Sequence, residues 1–331
     1  MADNNNTNRS SCDVLVDQQS AVVLFPIFYS LVFIFSVCGN ALVLAVICQR
    51  RQKFNSTAVY LLNLALSDTL FTLTLPGRIF YYIRRFDWPF GDLLCRMSTL
   101  LFFANTYAGI GFMTCISLDR YVAVVHPQRL RGLRQVKMVR RVCCLVWALV
   151  SAQVAPLLFR SMLQYHKGRR TCMEYFNLGS SQWMPHFLLL ACVVSFCCPL
   201  AAILASYASV HLKLRAATKR NSVSRRNQRA NGIILLILLT FILCFSPYHL
   251  NVMQFMCQRM HHEVSCEELR GFKISSQITV SLMNFNCCLD PIIYFFAIKT
   301  YKKQMLSLMG HLWASSNTTS STTAENSSSN S

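Results

Sequence analysis

Charged side chains are scarce in this 331-residue chain: they make up 14% of it, and only 13 residues are acidic. Hydrophobic side chains make up 53%, and the mean hydropathy is +0.37. This composition excludes an ordinary soluble globular protein of this length and indicates a membrane protein. The first twenty residues lack a charged-then-apolar leader, so we expect the first apolar stretch to direct insertion itself.

The charges that are present are mostly positive. Lys and Arg number 32 and the net charge is +19, a balance that first suggests a nucleic-acid-binding domain. Their positions argue against it, because most of them fall in four short clusters between or after apolar stretches: Arg50–Lys53, Arg120–Arg141, Lys213–Arg229 and Lys299–Lys303. This bias is typical of cytoplasmic loops. We therefore expect a membrane partner and no nucleic acid.

Seven stretches are apolar enough to span a bilayer, for which about 20 residues are needed. Residues 18–49, 97–118, 142–159, 175–212 and 230–258 contain no charge, while 54–77 and 274–298 are each interrupted by one Asp. The sequence predicts an all-α membrane protein, a seven-transmembrane helix bundle. The basic clusters place the N-terminus outside the cell and the C-terminus in the cytoplasm.

We expect four segments along the chain. Residues 1–20 form an extracellular N-terminus with glycosylation sequons at Asn5 and Asn8, and residues 21–298 form the transmembrane bundle. Interleaved apolar and basic residues predict a short amphipathic helix 8 over 299–312. Residues 313–331 form a cytoplasmic Ser/Thr-rich tail that phosphorylation would make acidic.

Each predicted helix carries a landmark, and several landmarks are ionisable residues that are costly at membrane depth. They are Gly39-Asn40 in helix 1, Asp68 in helix 2, Asp119-Arg120-Tyr121 in helix 3, Trp147 in helix 4, Pro199 and Tyr207 in helix 5, Cys244-Phe245-Ser246-Pro247 in helix 6 and Asp290-Pro291-Ile292-Ile293-Tyr294 in helix 7. Taken singly, Asp68 or Asp290 could only pair with polar neighbours and set helix packing. Taken together, the landmarks resemble the rhodopsin-like family of G-protein-coupled receptors.

The resemblance implies a plasma-membrane receptor and not an enzyme, with a heterotrimeric G-protein as partner and with receptor kinases and arrestin acting on the tail. It implies that Asp119 holds Arg120 at rest and that Arg120 moves on activation towards Tyr207 and Tyr294. The resemblance further implies that helix 6 moves outward on activation. Helix 6 can bend at Pro247, because proline lacks a backbone N–H. The remaining switch residues that it implies are Tyr121, Phe241, Phe245 (where Trp is usual), Asp290 and Pro291.

The resemblance also implies bound sodium and an outer disulfide. The sodium residues would be Asp68, Asn105, Asn286 and Asp290, although Gly109 stands where many relatives carry Ser; no other cofactor or metal is expected. The disulfide would join Cys95 to Cys172. A second one, Cys12–Cys266, would match the tether of chemokine receptors, with Cys257 as a rival partner for either residue.

Several side chains predict the kind of ligand. Helix 3 has no acid between Asp92 and Asp119, which excludes amines, and helix 7 has no Lys between Lys273 and Lys299, which excludes retinal. In helix 2, Arg78 either snorkels to interfacial water or binds a ligand hydroxyl, carboxylate or phosphate. The residues expected to line a ligand-binding chamber around Arg78 suit an apolar ligand with one or two polar ends. They are Tyr107 and Tyr248, with the apolar Phe102, Phe103, Phe245 and Leu250.

Finer strings, such as Leu75-Pro76-Gly77-Arg78-Ile79 and Cys244-Phe245-Ser246-Pro247-Tyr248-His249, resemble the oxysterol receptors that steer migrating lymphocytes. The resemblance implies an agonist such as 7α,25-dihydroxycholesterol, held by Arg78, Tyr107 and Tyr248, and coupling to inhibitory G-proteins. A pocket Tyr of those receptors corresponds to Phe103, and loss of its hydroxyl would shift the ligand preference. The alternatives are a chemokine, peptide or other lipid receptor of the same fold and, outside it, a seven-helix transporter, for which inverted repeats would be needed.

Overall fold

The structure is a computed structural model that describes residues 19–49, 55–159, 161–166, 168–172, 184–218, 225–262, 264–298 and 301–307. This described part contains seven helices long and apolar enough to cross a membrane. The expected all-α membrane protein with a seven-helix bundle is confirmed.

Several of the seven helices are built from more than one segment. Their bounds are helix 1 Gln19–Gln49; helix 2 Ser56–Thr72 and Leu75–Ile83; helix 3 Gly91–Val125; helix 4 Val136–Val154; helix 5 Met184–Cys192, Val193–Cys197 and Cys198–Thr218; helix 6 Arg225–Thr240, Phe241–Phe245 and Ser246–His261; and helix 7 Cys266–Asn284 and Asn286–Ala297. Single 3₁₀ turns lie at Arg131–Arg134 and Ala155–Phe159. Residues 301–307 are also helical, within the range expected for helix 8.

Proline explains where three of the helices change their winding. Helix 2 is interrupted at Leu73 and Thr74, shortly before Pro76. Helices 5 and 6 each contain a wider π-type turn that ends two residues before Pro199 and Pro247, respectively. Proline has no N–H, and its ring clashes with the carbonyl four residues earlier, so a wider turn is one way to accommodate it. In helix 6 the wider turn carries Phe241 and Phe245, and both rings are fully buried.

The bundle is apolar outside and partly polar inside. Large apolar side chains such as Leu24, Leu31 and Phe35 are exposed on helix 1, which suits contact with lipid tails and would cause aggregation in water. Asn40 and Asp68 are buried between the helices together with aromatic side chains. This is the distribution expected when polar groups must find partners away from the hydrocarbon.

Two of the sequence landmarks act in helix packing. The Trp147 indole donates a hydrogen bond to the Asn63 side-chain oxygen at 2.9 Å and so joins helix 4 to helix 2. Gly39 lies directly against Pro291, and a Cβ there would overlap the proline ring. Glycine is therefore required where helices 1 and 7 approach each other.

A β-hairpin covers one end of the bundle, which we call the hairpin end. Strands β1 (Leu163–His166) and β2 (Arg169–Cys172) are antiparallel, with Leu163 opposite Cys172. The hairpin is fixed to helix 3 by the Cys95–Cys172 disulfide. It is also fixed to the loop after helix 2, because the backbone N–H of Trp88 donates to the Arg170 carbonyl at 2.7 Å.

Candidate functional site

A cleft opens at the hairpin end between helices 2, 3 and 7. It combines aromatic rings with hydroxyl, amide and guanidinium groups, so it can hold an apolar body and orient polar substituents. The described residues that line it are Thr74, Arg78, Tyr81, Tyr82, Trp88, Ser98, Cys172, Ser276, Gln277 and Val280.

Arg78 is the cationic side chain among these lining residues. Its Cζ lies 5.5 Å from the ring centroid of Tyr29 in helix 1 and 5.5 Å from that of Phe102 in helix 3. Both distances are within the range of a cation–π contact. The guanidinium therefore points into the bundle and lies between two aromatic faces, which favours a ligand-facing position over one that snorkels towards interfacial water.

An aromatic row continues from this guanidinium towards helix 6. The ring of Phe102 contacts Phe103 at 5.0 Å between centroids, Phe103 stacks on Tyr107 at 6.3 Å, and Tyr107 meets His249 at 6.4 Å. Tyr248 lies edge-on to His249 at 5.3 Å. Three expected ligand-binding residues thus lie in the row and not among the residues that line the cleft, and Phe102 joins the two regions.

One expected chamber residue is placed wrongly by the sequence. Leu250 is 58% exposed on the outward face of helix 6. Its neighbour His249 is buried instead, because consecutive residues of a helix point about 100° apart. Phe245, which was also expected in the chamber, is fully buried and lies 5.5 Å from Phe241 between ring centroids.

At the opposite end of the bundle, the Asp119 carboxylate is almost completely buried and contacts four donors. Ser56 and Thr57, at the start of helix 2, donate to its two oxygens at 2.6 and 2.8 Å. Arg134, on the 3₁₀ turn after helix 3, donates at 2.9 Å, and the Arg120 guanidinium lies at 3.1 Å. A buried carboxylate needs such partners. The sequence indicated only Arg120; Ser56, Thr57 and Arg134 were missed.

A second contact at this end joins helix 6 to helix 7. The Arg229 guanidinium donates a hydrogen bond to the Phe296 carbonyl. Sequence reasoning missed this contact as well, because Arg229 belongs to a basic cluster that the positive-inside pattern already explained. Any outward movement of helix 6 from helix 7 would break it.

Tyr121 and Tyr207 lie beside a small apolar cluster at this end. Tyr121 meets His126 edge-on at 5.7 Å, and Tyr207 stacks on His211 at 5.7 Å. The buried members of the cluster come from helices 3, 5 and 6, namely Val124, Val210, Leu214, Ala230 and Ile234. Movement of helix 6 would therefore change the packing around both tyrosines.

Tyr294 points into the bundle interior. Its hydroxyl lies 3.3 Å from the Asn40 side-chain oxygen and 3.3 Å from an Asp68 oxygen. The ring is fully buried and also meets Tyr301 of the 301–307 helix at 6.2 Å. In this arrangement Tyr294 links helices 1, 2 and 7.

Several buried side-chain oxygens in the polar interior accept no hydrogen bond from an N–H or O–H donor of the described residues, although the Asp68 and Asp290 carboxyl groups lie close enough to share a proton. These are one oxygen of Asp68, both carboxylate oxygens of Asp290 and the side-chain oxygen of Asn105. The Asn286 amide nitrogen is likewise without a described partner, and it would lie 3.4 Å from a Cβ built at Gly109. Unpaired buried oxygens of this kind suit a small cation.

The sequence matches the family model described as "7 transmembrane receptor (rhodopsin family)" over residues 39–294. The chain belongs to the rhodopsin family of seven-transmembrane receptors. The family consists of receptors and not enzymes, and membership implies a G-protein partner and a membrane location.

The receptor is similar to several curated proteins over most of its length. It is 45% identical to the G-protein coupled receptor 183 of Rattus norvegicus and 44% identical to that of Homo sapiens, each over 305 residues that cover 91% of this chain and 85% and 84% of the relatives. It is 32% identical to the lysophosphatidic acid receptor 6 of Mus musculus, over 90% of this chain and 87% of that protein. We therefore place the receptor with the G-protein coupled receptor 183 group.

The disulfides of the receptor agree with the sequence as far as the described residues allow. The expected Cys95–Cys172 bond is formed. Cys266 is disulfide-bonded and Cys257 is free, so the rival pairing with Cys257 is not made. Cys12 lies outside the described residues, as do the sequon residues Asn5 and Asn8.

Proposed function

We propose that the receptor binds a hydroxylated sterol, an oxysterol such as 7α,25-dihydroxycholesterol, signals through inhibitory G-proteins and guides immune-cell migration. The observation that carries the proposal is the position of Arg78 in an aromatic-lined cleft. A sterol ring system would lie along the aromatic row, and a sterol hydroxyl would accept a hydrogen bond from the guanidinium, which is only a donor.

The hairpin end is proposed to face the outside of the cell. The Cys95–Cys172 disulfide lies there, and disulfides persist on the oxidising side of the plasma membrane. The basic 3₁₀ turn Arg131–Arg134 lies at the other end, in agreement with the positive-inside pattern. The N-terminus would then be extracellular, with glycans on Asn5 and Asn8, and the C-terminal tail cytoplasmic.

The contacts of Asp119 suit a resting receptor. The carboxylate holds Arg120 against helix 3 and keeps it from the surface that a G-protein would contact. Activation would release Arg120 towards Tyr207 and Tyr294 as helix 6 moves outward from its bend before Pro247. The hydroxyl-rich tail would afterwards be phosphorylated by receptor kinases and would recruit arrestin.

The unpaired acceptors in the interior fit a sodium ion. The oxygens of Asp68, Asp290 and Asn105 would hold it. No cationic side chain of the described residues pairs with the two aspartates, so the ionised form of both would be costly without a bound cation. Asn105 lies one helical turn before Gly109 and could supply the oxygen that a Ser at position 109 supplies in relatives. A bound cation would favour the resting arrangement by neutralising this cluster.

The proposal is tested by inhibition of cyclic AMP in cells that express the receptor, titrated with 7α,25-dihydroxycholesterol with and without pertussis toxin. We expect a toxin-sensitive response that Arg78→Ala abolishes at unchanged surface expression. Arg84→Ala is the matched control, because Arg84 directly follows the same helix and its guanidinium lies over Phe80 and not among the residues that line the cleft. Normal signalling by Arg78→Ala would reduce Arg78 to an anchor, and silence of the wild type at proven surface expression would refute the oxysterol.

Phe103→Tyr tests the ligand preference. The ring stacks on Tyr107 in the aromatic row, so a hydroxyl added there would lie where it can pair with a ligand hydroxyl. Satisfying a buried hydroxyl is worth about 1 to 3 kcal/mol, and we expect at least about a fivefold gain in potency for the preferred oxysterol. An unchanged rank order of oxysterols would show that position 103 does not set the preference.

A lysophospholipid is the second candidate. The observation that favours it is the 32% identity to the mouse lysophosphatidic acid receptor 6. The Arg78 fork could also bind a phosphate through two parallel hydrogen bonds. The same assay separates the two, because lysophosphatidic acid would be potent and the oxysterol silent if this candidate were right.

A further inference from the structure

His249 is a fully buried histidine in the first turn of the helix 6 segment Ser246–His261. Its ring stacks on Phe196 of helix 5, with 4.4 Å between centroids and 5° between planes. Tyr107 of helix 3 and Tyr248 meet the same ring edge-on. The imidazole thus lies between helices 3, 5 and 6, at the far end of the aromatic row from Arg78.

The hydrogen bond at Nδ1 of His249 determines which ring nitrogen carries the proton. Nδ1 lies 2.8 Å from the Phe245 carbonyl oxygen. A carbonyl can only accept, so Nδ1 carries the proton, and Nε2 of the neutral ring presents a lone pair. The helix backbone therefore makes Nε2 an acceptor.

This acceptor has no partner among the described residues. Nε2 is buried and makes no hydrogen bond within the described part of the chain. A buried polar atom without a partner is destabilising and is uncommon in folded proteins. The group that would satisfy it must be a donor that comes from outside these residues.

We propose that Nε2 of His249 accepts a hydrogen bond from a hydroxyl of the ligand and thereby selects an alcohol over a ketone or an ether at this point. The inference rests on the proposed function, in which the ligand lies along the aromatic row, and deepens it by naming the required chemistry. Arg78 only donates and Nε2 of His249 only accepts. One end of the row therefore offers a hydrogen-bond donor and the other end offers an acceptor. A ligand hydroxyl near His249 must be free to donate.

The test compares three variants against a panel of oxysterols in which each hydroxyl of 7α,25-dihydroxycholesterol is replaced in turn by a ketone, a methoxy group or hydrogen where the carbon allows. His249→Phe keeps the stacked ring and removes the acceptor. His249→Gln returns an acceptor near the position of Nε2. Arg78→Ala reports separately on the proposed function, and surface expression is measured for every variant.

We expect one replaced hydroxyl to lower wild-type potency at least about tenfold. His249→Phe should lose a similar factor with the parent ligand and nothing further with that one analogue, and His249→Gln should restore part of the loss. Equal potency ratios for wild type and His249→Phe across the whole panel would overturn the proposal, as would a loss that is the same for all ligands. If His249→Phe does not reach the surface, His249→Gln is the deciding variant. Retained discrimination between the hydroxyl and its methoxy analogue supports the proposal, and lost discrimination at retained potency overturns it. If neither the wild type nor Arg78→Ala responds to any oxysterol, the oxysterol function is refuted and the alcohol-selecting role of His249 with it. If only the His249 comparison fails, the oxysterol function is unaffected.

Discussion

Arg134 should restrain the receptor in its resting arrangement. Its guanidinium donates to Asp119 at 2.9 Å from the 3₁₀ turn Arg131–Arg134, and its side chain is 32% exposed. A hydrogen bond between charged groups contributes about 1.5 to 3 kcal/mol when it is buried, while an exposed ion pair contributes about 0 to 1 kcal/mol. For this partly exposed contact we take about 1 kcal/mol.

If activation breaks this contact, its removal shifts the balance of resting and active states by that amount. We therefore expect Arg134→Ala to raise ligand-independent activity about fivefold while the active state is still a minor one. The assay is GTPγS binding in membranes that contain an inhibitory G-protein, at matched receptor density. Arg131→Ala is the control, because Arg131 belongs to the same turn and is not among the described residues that contact the Asp119 carboxylate.

A double mutant tests whether Arg134 and Asp119 act through a single contact. Asp119→Asn should raise basal activity by itself, and adding Arg134→Ala to it should raise activity little further, because the two residues act through one contact. Basal activity of Arg134→Ala equal to that of wild type would contradict the account. So would an equal rise in the Arg131 control.

Two further predictions concern packing and the interior. Gly39→Ala should overlap Pro291 and destabilise the contact of helices 1 and 7 by about 1 to 3 kcal/mol, lowering the thermal stability of the purified receptor, whereas Gly232→Ala, which meets nothing within 4 Å, should not; equal melting curves would exclude the tight contact. Sodium chloride should raise the thermal stability of the purified receptor relative to choline chloride, and Asp68→Asn should remove the difference; a wild type indifferent to the exchange would exclude a sodium site.

The helices were predictable because an apolar stretch of about 20 residues is long enough to span a bilayer as a helix. Their ends were less so. The uncharged stretch 97–118 extends in the structure to Gly91–Val125, because charged side chains fit at helix ends: Arg96 pairs with Asp92 one turn away, and Asp119 finds its donors. A rule based on uncharged stretches stops at such residues although the helix continues.

The contacts between elements were harder to predict from the residues. The Arg134–Asp119 pair depends on a 3₁₀ turn that returns the chain to helix 3, and a basic cluster that topology already explains gives no sign of it. Which of Leu250 and His249 faces inward depends on the rotation of helix 6 after the wider turn Phe241–Phe245. Local sequence does not determine that rotation.

The most direct test of the central proposal is saturation binding of radiolabelled 7α,25-dihydroxycholesterol to membranes that contain wild-type receptor or Arg78→Ala at equal density. We expect saturable binding to the wild type that unlabelled oxysterol displaces and lysophosphatidic acid does not, with loss of that binding in Arg78→Ala. Binding to wild-type membranes no greater than to membranes without the receptor, or undiminished binding in Arg78→Ala, would contradict it.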